Sequence, residues 1–256
     1  LGQRNRNGSA QHWVTMSSPP AAPDPADAIG RTGLFRWPVI ALALLTLTSG
    51  YTDGYSLSRF DVFIANQSGN IVRAGMGIFG EYAAWRLALL SMAGFAIGAM
   101  VAWLIGIPAA RRGWTLVRVR LILASALLGI WWLTVLVVGN NDEKGIACAI
   151  LGGMALGVLA SVMTKIANTP IQPTFQTATV LNGARGLIEW MTGRGSEASA
   201  GRRLAVLGGI AIACYALGGA LGAFAIRIGP TAVLLGLVLP AVALLLTRPD
   251  PPTPTR

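Results

Sequence analysis

Between Trp37 and Leu246 the chain is a succession of long apolar runs, and the run lengths constrain everything else. An apolar stretch of about 20 residues matches the thickness of a bilayer core, whereas a soluble helix keeps a polar face. Of the 256 residues, 54% are hydrophobic and 12% charged, roughly half the charged share of a soluble domain. The expected fold class is therefore all-α, a polytopic helical membrane protein.

The spans read as follows. The first runs from about Trp37 to Tyr51, with Pro38 in its first turn, and must continue through a Gly50–Gly54 turn to cross. The second covers Ala83 to Ile107 and closes at Pro108. The third is Leu116 to Val138, the fourth Ile146 to about Thr164, the fifth Leu204 to Ile226, and the last Thr231 to Leu246, with Pro240 inside it. Gly94-x-x-x-Gly98, Gly153-x-x-x-Gly157 and Gly218-x-x-x-Gly222 are spacings that let helix backbones approach closely, and they permit a homodimer without requiring one. Residues 1–33 are polar and rich in Pro and Ala, a composition expected to form a disordered leader, in which Met16 begins a plausible start, MSSPPAAPDP. No signal peptide is expected, and the Pro-rich tail 248–256 is expected to be extended.

Two polar passages interrupt this pattern. Ser49 to Gly80 places Asp53, Asn66, Gln67, Ser68, Gly69, Asn70 and Arg73 where a membrane protein normally has Leu and Ala. Lys165 to Glu189 is a weaker echo. Charge placement decides whether the passages cross or re-enter. With six full spans, two short broken or re-entrant segments and the amino terminus inside, fifteen of the twenty basic residues face the cytoplasm, including the four arginines of the 111–120 connection and those of the loop GRGSEASAGRR. Eight spans would put the arginines on opposite sides. A seven-span arrangement stays open. Six spans give halves of about 34–139 and 145–247 within a membrane domain 34–247, each ordered as span, break, span, span and so antiparallel, an inverted-repeat plan that recurs in transporters. Gln67-Ser68-Gly69-Asn70 then aligns with Gln176-Thr177-Ala178-Thr179, and Ser49-Gly50-Tyr51 falls near Leu156-Gly157-Val158.

The candidate pathway residues come from these passages. A carboxylate in a span is costly unless it meets water, a cation or a donor, so Asp53 reads either as a proton, cation or solute site or as a cap on the break. Asn66, Gln67, Ser68 and Asn70 can satisfy backbone groups freed at a break or coordinate a solute, and Gly69 would permit the break by accepting positive φ. Arg73 could pair with Asp53 or Glu189 across the repeat interface; Arg185 could do the same or snorkel. Gln176, Thr177 and Thr179 line the second break.

Other chemistry is disfavoured. The single histidine, His12, lies in the leader, which removes histidine catalysis and histidine metal sites from the membrane body. Cys148 and Cys214 are isolated in apolar runs and read as core residues. Gly75-x-Gly77-x-x-Gly80 follows no strand, so it is not a dinucleotide fingerprint. The sequon Asn66-Gln67-Ser68 lies at membrane depth. The net charge of +10 is scattered, with no aromatic interleaving, and argues for cytoplasmic loops rather than nucleic acid. No catalytic residues, metal or cofactor are expected; the partners expected are the lipid bilayer and a small solute or ion.

Gly50-Tyr51-Thr52-Asp53, the Phe63 to Ser68-Gly69-Asn70 segment and the Thr174 to Thr179 segment together resemble the YoaK family of bacterial membrane proteins, domain of unknown function 1275. The likeness covers about Phe35 to Leu246, with departures at Ala178, where the family typically has Gly, and at Ala160, where it tends to be polar. The resemblance implies a bacterial inner membrane and supplies no activity. The functional expectation is a small secondary transporter or channel-like protein with its site at the central break, weighed against a non-transporting membrane scaffold and, more distantly, an enzyme. In either of the first two, both termini are expected on the cytoplasmic side.

Overall fold

The computed structural model describes residues 35–111, 114–138, 142–162, 165–166, 169–171, 173–174, 176–229 and 235–247. The leader 1–33 and the tail 248–256 lie outside them. Among these described residues there are, in order, eight helices: α1 (Pro38–Phe60), α2 (Gln67–Ile78), α3 (Trp85–Arg111), α4 (Leu116–Val138), α5 (Asp142–Ala160), α6 (Gln176–Thr192), α7 (Ser196–Ile228) and α8 (Leu235–Leu245). A short antiparallel hairpin, β1 (Lys165–Ile166) on β2 (Thr169–Pro170), lies between α5 and α6. Among the described residues, α3, α4 and α7 are long and apolar enough to cross a membrane, and α5 and α8 carry shorter apolar stretches. This is a helical membrane protein.

Several boundaries differ from the sequence reading, each for a local reason. The Gly50–Gly54 segment is no turn: α1 runs straight through it for 23 residues. Its polar residues stay helical because their hydroxyls return to the preceding turn, Thr48 to the Leu44 carbonyl (2.8 Å), Ser49 to Leu45 (3.0 Å) and Thr52 to Thr48 (2.9 Å). The chain leaves α1 at Asp61, which adopts the left-handed conformation (φ 55°, ψ 35°) while its N–H still reaches the Leu57 carbonyl. Gly69 is therefore not the hinge; it sits in the first turn of α2 against the Phe63 ring. Pro108 does not end α3, which continues to Arg111. The expected polar loop before the fifth span is helical from Ser196 onward.

The packing has an internal two-fold pattern. Helix α1 lies against α7, and α5 lies against α3. Helix α2 packs on α3 as α6 packs on α7, and α5 on α4 as α1 on α8. Exchanging the first four helices with the last four maps each of these contacts onto another. Glycines fix the register. A Cβ at Gly50 or Gly54 would strike the carbonyls of Tyr215 or Gly219, and one at Gly153 or Gly157 those of Ser91 or Phe95. Reciprocally, Gly218 and Gly222 meet Leu47 and Tyr51, while Gly94 and Gly98 meet Ile150 and Met154. Both sets give one correspondence: Gly50 with Gly153, Gly54 with Gly157, and so Asp53 with Leu156. The sequence alignment of Gly50 with Gly157 was one helical turn out; that of Gln67 with Gln176 is right, since each opens its short helix.

The core sits where α1, α4 and α5 meet, around Leu42, Leu45, Leu121, Leu128, Leu156 and Leu159. Tyr51, Tyr55, Trp131 and Trp132 form one aromatic cluster there, with Tyr55 edge-on to Trp132 at 5.0 Å.

Candidate functional site

The breaks after α1 and α5 hold the candidate residues, and they are built differently. In the first, residues 61–66 are organised by Asp53, whose side chain leaves the wall of α1 and is 2% exposed. Asp53 Oδ1 accepts the N–H groups of Ile64 and Ala65, both at 2.7 Å, and Oδ2 accepts that of Asn66 at 2.9 Å. The Tyr215 hydroxyl, from α7, donates to the same Oδ2. Three consecutive N–H groups ahead of a helix would otherwise lack acceptors; one carboxylate, an acceptor-only group, serves all three.

The neighbouring amides complete the closure. Asn66 caps α2 by accepting from the Gly69 N–H (3.3 Å) and the Ser68 hydroxyl (2.7 Å). Asn70, fully buried, accepts from the Phe63 N–H (3.1 Å) and donates to the Phe63 carbonyl (2.6 Å) and to Gln67 Oε1 (3.0 Å). Gln67 Nε2 donates to the Ile64 carbonyl (2.8 Å), Ser91 to that of Phe63 (2.7 Å), and Ser56 to that of Val62 (2.8 Å).

Arg73 reaches neither Asp53 nor Glu189. It stacks over Phe63, 4.4 Å from the ring centroid, with its nearest carboxylate that of Asp61 at 3.9 Å. Glu189 instead pairs with Arg185 one turn away on the exposed side of α6 (2.6 Å), so the proposed pairing across the repeat does not form.

The second break spans residues 161–175 and carries no acidic residue; none occurs between Glu143 and Glu189. Leu156 stands where Asp53 stands. Gln176 repeats the role of Gln67, donating from Nε2 to the Pro173 carbonyl three residues back (2.9 Å). Thr179 occupies the place of Asn70 and is likewise buried. Yet Thr174 Oγ1 and Gln176 Oε1 are buried and have no hydrogen-bond partner among the described residues.

Between the breaks lies a cavity of about 230 Å³, lined on one side by Ala65, Asn66, Gln67, Ser68 and Ile71 and on the other by Thr174, Gln176, Thr177 and Ala178, with Phe95 of α3 beside them. The amino-terminal turns of α2 and α6 both face it. Of the residues expected at a pathway, Asn66, Gln67, Ser68, Gln176 and Thr177 line this cavity; Asp53, Gly69, Asn70, Arg73, Thr179 and Glu189 do not.

Three contributors escaped the sequence reading. Tyr215 carried no signal, being a lone tyrosine in an apolar run. Thr174 is one of several threonines in its segment. Arg120 was counted as a loop charge, but it is 5% exposed within α4, donating to the Ala102 carbonyl (3.2 Å) and the Ser161 carbonyl (2.8 Å) at the start of the second break, under Trp103. Its position in the apolar run LVRVRLILAS was the available clue.

A family model described as "Protein of unknown function (DUF1275)" matches residues 41–247. No curated protein and no solved structure matches the chain.

Proposed function

The chain belongs to the DUF1275 family, and we propose that it is a small secondary transporter or channel-like protein of the bacterial inner membrane whose solute occupies the cavity between α2 and α6. The observation that supports this reading most is the meeting of two interrupted segments, one from each half, at a single cavity. Irregular backbone at membrane depth is tolerated where it is buried in protein or lines a water-filled cavity, and inverted halves that rock about a central site give alternating access. The arrangement needs no catalytic chemistry. In this reading α1, α3, α4, α5, α7 and α8 cross, α2 and α6 re-enter, and both termini face the cytoplasm.

The test is flux in proteoliposomes with a panel of small labelled solutes. Ala178 lies exposed on the cavity wall, so Ala178→Phe fills the cavity without touching the core. Transport present in the native chain and lost in Ala178→Phe is the expected result; equal transport by both overturns the placement of the pathway. Reporters after Arg112 and Glu197 should read cytoplasmic and one after Asp142 external; an external reading at Glu197 removes the inverted-repeat topology.

A second reading has one observation in its favour. The polar side chains of the first break are engaged with its own backbone, as a scaffold that docks another protein would also require. A stoichiometric partner on purification, with no solute moved, would favour it.

A further inference from the structure

The two halves place the same backbone problem at the same point and solve it once. Ahead of α2, a carboxylate from within the chain, Asp53, receives three successive N–H groups. Ahead of α6, the corresponding residue is Leu156, fully buried and unable to accept anything. The first turn of α6 holds no acidic residue, so the positive end of its dipole has no covalently supplied counter-charge there. The Thr174 hydroxyl, 5% exposed and lining the cavity, has no partner among the described residues. Gln176 Oε1 beside it is an unused acceptor.

We propose that the missing carboxylate is supplied by the ligand: the cavity binds a small organic carboxylate whose oxygens sit at the amino-terminal turn of α6 and accept from Thr174, as Asp53 does at the other break. The unused Gln176 acceptor calls for a donor on the same molecule, so the class is a short hydroxy- or amino-carboxylate. Ala65, Ile71, Phe95 and Ala178 supply the apolar wall for its carbon skeleton. A helix amino terminus binds carboxylate through free N–H groups and its dipole, and a buried hydroxyl without a partner is costly until something fills it. At about 230 Å³ the space admits a molecule of a few carbons and excludes a nucleotide. The inference rests on the transport reading for its biological sense, but binding is measured apart from flux.

The experiment is equilibrium binding of lactate and alanine to the full-length chain in detergent, by calorimetry, with lactamide and alaninamide as probes that lack the carboxylate. Lactate or alanine should bind and the amides at least tenfold more weakly. Thr174→Val, which keeps the side-chain shape, should weaken carboxylate binding about tenfold while leaving the melting temperature of the free protein unchanged or raised. Leu156→Asp should abolish binding by installing the internal carboxylate; because a buried charge can prevent folding, Thr174→Val carries the test if that variant does not fold. Amides binding as well as acids, or native affinity in Thr174→Val, overturns the proposal. Binding of carboxylates without flux of any solute leaves this inference standing and removes the transport reading; flux of an uncharged solute without carboxylate binding does the reverse.

Discussion

The first break covers residues 61–66 and the second 161–175, and most of the expected site residues, from Asp53 to Arg73, lie around the shorter one. Polarity was expected to mark the binding site. Instead, the polar residues of the first break mainly hold that break closed, with Asp53, Asn66, Gln67 and Asn70 all bonded to nearby backbone. The second break has no carboxylate, and it is at its end that unpaired groups, Thr174 Oγ1 and Gln176 Oε1, line the cavity. A side chain spent on the backbone is not free for a ligand, so residue type alone overstates the first half and understates the second.

The largest effect that would sharpen this contrast is loss of the first anchor. Asp53→Ala strands three backbone N–H groups and the Tyr215 hydroxyl, and should lower stability by about 4 kcal/mol, or prevent recovery of folded protein, in detergent thermal unfolding. An Asp53→Ala protein that melts like the native chain would show that the first break does not depend on its carboxylate. Next come the paired glycines. Gly54→Leu and Gly157→Leu force the same backbone contacts apart in opposite halves and should each cost about 3 kcal/mol; a large effect in only one half would break the two-fold packing described for α1 on α7 and α5 on α3. Asn70→Ala removes three hydrogen bonds and should cost about 2 kcal/mol, against about 1 kcal/mol for Thr179→Ala at the matching place. Smallest is Thr174→Val, which should leave stability unchanged or slightly raised, because no internal hydrogen bond is lost and an unpaired buried hydroxyl is removed; a destabilisation would mean that Thr174 serves the fold in the way Asn70 does.

Much of the architecture was legible beforehand. Hydropathy located α3, α4 and α5 closely, but it ended the first span at Tyr51 where α1 runs to Phe60 and began the fifth at Leu204 where α7 starts at Ser196; the Gln67–Gln176 alignment found the openings of both short helices. The glycine spacings read as close packing do bring backbones together, in pairs between α3 and α5 and between α1 and α7. Other features could not be read locally. The Gly50–Gly54 segment looked like a turn because its polarity is high, and it stays helical because hydroxyls at Thr48, Ser49 and Thr52 bond within the helix. Arg120 and Arg118 looked like loop charges, yet both are helical, Arg118 donating to Thr247 near the end of the chain (3.0 Å).

The sequence by itself determined that this is a helical membrane protein with two interruptions at corresponding places, since run length and polarity are properties of neighbours along the chain. It also put Asp53 at the first interruption and no carboxylate at the second. Only the tertiary structure decided what those facts mean. The register of α1 on α7 aims Asp53 at the N–H groups of residues 64–66 and brings Tyr215 to it across 162 residues. The same packing sets Leu156 at the equivalent point and turns the first turns of α2 and α6 toward one cavity. A hydrogen bond depends on direction and on distances of about 3 Å, and such geometry between distant segments exists only after the helices have packed.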